Sequence, residues 1–226
     1  MKRSHSWSKL LAASAVVVLL AATASAQSYK LESSSTPPPQ DLAAGIRDTL
    51  SADALHVTGP NGPLCDIWLR KSIPAAATPD TSLGVNFGQI PQGALVGAIK
   101  FDAPGADYRG QPIKPGVYTL RFMLQPVDGN HQGVSPYRDY FLTVPAALDS
   151  SPADVTTTNL VNLSKKASGT GHPSVWSLVP ADNAPATLPA IAHQEDGDLW
   201  VVYFQASLAK PTKMGLVVVG KAQEPE

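Results

Sequence analysis

Twenty-one prolines and 17 glycines are spread through the 226 residues, and this punctuation leaves little room for long helices. Proline removes a backbone donor and clashes with the preceding helical turn, whereas glycine weakens a helix by about 1 kcal/mol relative to alanine. What remains between the breaks is short and alternating. In Gly116–Gln125, Tyr118, Leu120, Phe122 and Leu124 alternate with Val117, Thr119, Arg121 and Met123. Period two of this kind predicts a strand with one apolar face and a sheet covered mainly on that side. Further strands are expected at 55–58, 64–71, 83–87, 95–101, 137–144, 174–179, 190–194, 199–207 and 214–219. Asn61-Gly62, Asp128-Gly129-Asn130 and Asp196-Gly197 supply turn chemistry between them. About ten short strands at this spacing predict an all-β fold, an antiparallel β-sandwich with a barrel-like arrangement as the alternative.

One short N-terminal helix is expected, with Asp41 as N-cap and Leu42, Ile46 and Leu50 on one face. The stretch 145–158, rich in Ala, Ser, Asp and Pro, reads as a long surface connection within one domain. Residues 27–40 contain Ser33-Ser34-Ser35-Thr36-Pro37-Pro38-Pro39 and read as a disordered spacer. The domain is expected to span 41–222, followed by a flexible tail at 223–226.

Residues 1–26 have the three parts of a secretory signal peptide: Lys2-Arg3, an apolar run from Leu10 to Ala22, and Ala24-Ser25-Ala26 before the cut. The run falls short of the roughly 20 apolar residues that a spanning helix needs, so no transmembrane segment is expected after cleavage. The expected location is the periplasm or the extracellular space. Removing Lys2, Arg3 and Lys9 from 17 basic residues leaves 14 against 18 acidic ones, a net charge of −4. That mild acidity, with scattered cations, argues against nucleic acid as a partner. Cys65 is the sole cysteine, which excludes an intramolecular disulfide; its apolar neighbours predict a buried, inert thiol.

Polar groups concentrate in two glycine-containing segments, 128–139 and 164–173. Their convergence at one end of the sheet would bring His131 and His172 near Arg138, Asp139 and Lys166, a candidate ligand-binding cluster suited to an anion. The alternative is a pair of solvated loops. Metal and cofactor are not expected: His56, His131, His172 and His193 have no short ligand spacing, and Cys65 lacks a nearby histidine. No Gly-x-Ser-x-Gly elbow or glycine-rich phosphate loop is present, and Glu195-Asp196-Gly197-Asp198 reads as a hairpin turn.

Three segments, Val127–Asp139 (VDGNHQGVSPYRD), Leu163–Leu178 (LSKKASGTGHPSVWSL) and Cys65–Lys71 (CDIWLRK), resemble parts of uncharacterised exported bacterial β-sandwich proteins. Ile113–Phe122 (IKPGVYTLRF) resembles the turn-plus-strand entry of secreted β-sandwich modules. The resemblance implies a fold and export, and carries no activity, cofactor or catalytic residue. The resulting expectation is an exported, non-enzymatic domain that binds an anionic small molecule or a protein partner. The alternative is a periplasmic or secreted hydrolase using His131 and His172, with its catalytic residues unassigned.

Overall fold

Antiparallel pairing links nearly every expected strand into one sheet. The computed structural model describes residues 28–127, 135 and 137–222. Its strands are β1 (Lys30–Ser34), β2 (Ala54–Gly59), β3 (Gly62–Leu69), β4 (Leu95–Phe101), β5 (Gly105–Ala106), β6 (Pro112–Ile113), β7 (Gly116–Leu124), β8 (Asp139–Pro145), β9 (Val175–Pro180), β10 (Ala190–Gln194), β11 (Leu199–Ala206) and β12 (Thr212–Val219). Ten of them form a single sheet in the order β1-β2-β3-β4-β7-β8-β9-β12-β11-β10, every neighbour antiparallel, while β5 and β6 pair separately. The two edges approach one another, with the Tyr29 ring before β1 lying 5.0 Å from the Trp200 ring of β11. The sheet therefore almost closes into a barrel. The fold is all-β, and of the two expected arrangements it takes the barrel-like one.

Register decides which side chains go inside. Phe122 of β7 lies opposite Phe141 of β8, which lies opposite Trp176 of β9. All three are fully or almost fully buried, and they share one interior cluster with Leu120, Ile67, Ile99, Phe204 and Leu216. Cys65 belongs to the same cluster. Tyr118, Leu120, Phe122 and Leu124 face this interior, matching the alternation of the sequence. The opposite face of β7 is covered too: Thr119 and Arg121 are both fully buried.

The chain that covers Arg121 is the connection after β8. It forms a 3-10 turn (Ala146–Leu148) and runs over the outer face of the sheet. Arg121 holds it there with all five guanidinium N–H donors. Nε and Nη2 donate to the Asp149 carboxylate at 2.7 and 2.8 Å. Nη1 donates to the Gly93 and Ala153 carbonyls, and Nη2 also to that of Ser151. Thr119 Oγ1 donates to Asp149 as well. Gly93, at φ 88°, permits the close approach: a Cβ there would sit 1.8 Å from the Val155 carbonyl oxygen.

Four expectations need correction. The N-terminal helix α1 is a single turn, Ala44–Arg47, whose N-cap is Ala43 rather than Asp41. Leu42, Ile46 and Leu50 are nonetheless buried together, against Trp68, Leu95 and Ala98 on the outer face of the sheet. Residues 30–34, assigned to a disordered spacer, form the edge strand β1; backbone pairing to β2 orders it without an apolar face of its own. The segment 157–168 is a twelve-residue helix, α2 (Thr157–Ser168), not a connection followed by a loop. It occupies the stretch between Pro152 and Gly169 that lacks both helix breakers, and Gly169 ends it at φ 67°. Leu83–Phe87 forms no strand, and Leu83 is exposed. Among the described residues no helix is long and apolar enough to cross a membrane. The expected signal peptide and the tail at 223–226 lie outside the described residues.

Candidate functional site

Four outward-facing residues of β7, β8 and β9 form an apolar floor. Met123 lies opposite Tyr140, and Leu142 opposite Val175, so these four share the outer face. Helix α2 covers part of it through Leu160, which is fully buried against Leu142 and Val144. Coverage stops short of Tyr140 and Met123. What remains is a cleft of about 430 Å³, walled by Val161 and Lys165 of α2 on one side and by Tyr108 and Arg109 on the other.

Arg109 is placed by a buried carboxylate. Asp107, 2% exposed, accepts hydrogen bonds from the backbone N–H groups of Arg109, Gln111 and Val175 and from Gln111 Nε2, each at 2.9 Å. Burial pushes its carboxyl pKa up, against the pull of these donors. Tyr108 N–H donates to the Val175 carbonyl, so the turn is fixed to the start of β9. The second rim loop is tied to the first. Gln111 Nε2 donates to the Pro173 carbonyl, and Thr170 Oγ1 donates to Gln111 Oε1. Ser168 Oγ donates to the His172 carbonyl at 2.6 Å. These bonds hold Arg109, Lys165 and His172 around one opening, and among the described residues no aspartate or glutamate lines it. Tyr140, in the floor, has its hydroxyl pKa pushed up to about 12, chiefly by burial.

The five sequence-expected residues part company here. His172 is exposed and lines the cleft. Lys166 is exposed on the last turn of α2 and lines an adjoining groove that shares Lys165. His131 lies outside the described residues. Arg138 and Asp139 serve the scaffold instead. Arg138 donates from Nε and Nη2 to the Gln125 carbonyl at 3.1 and 3.0 Å. Asp139 is fully buried, which withdraws it from ligand contact. It pairs with Leu124 on the inner side of the sheet, where its carboxylate accepts the Asn86 and Phe87 backbone N–H groups and Asn86 Nδ2. Arg109 and Lys165 were not among the expected residues. The sequence signal for the cleft was β8 itself: Tyr140, Phe141, Leu142 and Val144 are apolar on both faces, so something had to cover the outer one.

A second cleft, of about 600 Å³, lies across Tyr108 and has the opposite character. Asp182, Glu195 and Asp196 line it together with Tyr137, His193 and Lys221. His193 Nε2 is 2.7 Å from Asp198 Oδ1. Among the described residues no group of three or more metal-ligating side chains converges. Comparison of the chain with protein-family models, with curated proteins and with solved structures finds no match.

Proposed function

We propose that the protein is an exported binding domain whose ligand is a small organic anion with an apolar body, held in the cleft beside α2. The observation that carries this reading is the pairing of an apolar floor with a rim of Arg109, Lys165 and His172, with no acidic side chain among the described lining residues. Small-molecule sites combine a mostly apolar lining with a few placed polar groups in this way. At the roughly 30 Å³ that a water-sized group occupies in a liquid, the cleft has room for on the order of a dozen non-hydrogen atoms. A medium-chain carboxylate such as decanoate fits both volume and charge. The floor offers few donors or acceptors, which disfavours sugars and nucleotides. Export rests on the tripartite pattern of residues 1–26.

Calorimetric titration with decanoate, decanol and acetate tests the reading on the wild type and on an Arg109→Gln/Lys165→Gln variant. Decanoate should bind, decanol and acetate much more weakly, and the variant should lose about 10- to 100-fold per charge-assisted contact removed. Equal binding of decanoate by both proteins would place the ligand elsewhere. The alternative built on His131 and His172 gains no support at Ser168, whose hydroxyl addresses the His172 carbonyl and not its ring.

A further inference from the structure

The outer face of β1–β4 carries a polar row that the cleft does not use. Glu32 lies opposite His56, His56 opposite Asp66, and Asp66 opposite Lys100. Ser34 follows two residues after Glu32 and so shares its face. Within this row, His56 Nδ1 is 2.5 Å from Asp66 Oδ1, and His56 Nε2 is 2.6 Å from Ser34 Oγ. A carboxylate can only accept, so Nδ1 of the neutral ring carries the proton and Nε2 is left to accept from the Ser34 hydroxyl. A hydroxyl, an imidazole and a carboxylate in that order, each within hydrogen-bond reach of the next, are the nucleophile, base and orienting group of acyl transfer. We propose that Ser34, His56 and Asp66 act as such a triad and transfer acyl groups from small activated esters to water.

Exposure supports the assignment of roles. Ser34 is exposed, while the His56 and Asp66 side chains are 29% and 20% exposed. The nucleophile is thus reachable, and the base and its partner are half-buried. Its backbone is held on both sides, by pairing with Ala54 of β2 and by a Thr36 N–H bond to the Ser34 carbonyl. Trp68 Nε1 in turn fixes the Thr36 carbonyl at 2.7 Å. The Thr36 hydroxyl lies 2.9 Å from Ser34 Oγ and 3.2 Å from His56 Nε2, which places a second donor beside the nucleophile. The row lies on an open strand face, so the substrate class is a small ester with a good leaving group, not one selected by enclosure.

In the first step Ser34 Oγ bonds to the acyl carbon and its proton passes to His56 Nε2. The ester C–O bond then breaks, and the leaving alcohol takes that proton. In the second, the oxygen of water bonds to the acyl carbon as its proton moves to His56 Nε2; the bond between the acyl carbon and Ser34 Oγ then breaks, Oγ takes that proton, and the carboxylic acid leaves.

The test uses the full chain with p-nitrophenyl acetate, read by release of nitrophenolate and by peptide mapping of the acetylated protein. An acetyl group on Ser34 is expected. Ser34→Ala should abolish it, His56→Gln and Asp66→Asn should slow acylation by about 100-fold or more, and Thr36→Val should leave Ser34 as the modified residue. Acylation of Ser34 that depends on His56 is a readout that a merely structural ladder would not produce. Circular dichroism confirms that each variant compared is folded, and the exposed Ser34→Ala change alone already decides the nucleophile. Acetylation confined to lysines, or equal Ser34 acylation in wild type and His56→Gln, would overturn the proposal.

Discussion

Replacing Arg121 with methionine should be among the most damaging single changes in this protein. The side chain is fully buried, Asp149 is 4% exposed, and all five guanidinium donors are used. Methionine would keep much of the volume but leave the Asp149 carboxylate without its cation. It would also strip the Gly93, Ala153 and Ser151 carbonyls of a donor. Breaking a buried ion pair from one side costs about 3–5 kcal/mol, because the remaining charge stays desolvated. Asp149→Leu should cost a similar amount by stranding the guanidinium. The double variant strands neither charge and loses mainly three neutral carbonyl contacts at about 0.5–1.5 kcal/mol each. Its total should therefore fall at least about 1.5 kcal/mol short of the sum of the singles, a coupling within the range that contacting residues show. Urea denaturation followed by tryptophan fluorescence measures all three, with Trp68 and Trp176 buried as reporters. A loss below about 1 kcal/mol for Arg121→Met, or simple additivity in the double variant, would refute the view that this pair clamps the 146–155 connection to the sheet.

Leu120→Ala and Phe122→Ala should each cost about 2–5 kcal/mol in the same assay, since both side chains are fully buried in the barrel interior. Cys65 should resist thiol reagents in the native state and react on unfolding, because burial pushes its thiol pKa up and hides the sulfur. Tyr140 should make the fold alkali-sensitive. Its ionisation is raised to about 12, so the folded state holds a proton that the unfolded chain releases near pH 10. The resulting stability is present below about pH 10 and lost as pH rises through about 12, and Tyr140→Phe should flatten that decline in pH-dependent denaturation midpoints.

The fold was legible where turn residues bound a short apolar stretch. Leu95–Phe101 and Ala190–Gln194 coincide with the expected spans, although the first is buried at nearly every position and the second is only half-buried along most of its length. The misses have a common cause: elements stabilised by something other than their own apolar pattern. β1 is ordered by backbone bonds to β2, and its hydroxyls find His56. Helix α2 has few large apolar residues, and Leu160 is its fully buried anchor. Arg121 looked like a solvent-facing residue because period two reports which face a residue takes, not what lies over that face.

The sites were less legible because their parts converge only through register. Arg109, Lys165 and His172 meet because Asp107 ties its turn to Val175 N–H, and that bond joins residues 68 apart in the chain. Ser34, His56 and Asp66 are separated by 22 and 10 residues, and no local motif marks them. Pairing β1 with β2 and β2 with β3 is what aligns them, and a one-residue slip in either ladder would turn one partner to the interior face. Asp139 shows the reverse error. Set beside Arg138 in a polar segment it looked like a ligand group, yet its place opposite Leu124 sends it inward, where three N–H groups of Asn86 and Phe87 compensate the burial of its charge. In a sheet that closes on itself, the parity of a residue in its strand therefore decides between a binding role and a structural one, and that parity is fixed by the neighbouring strand rather than by neighbours in sequence.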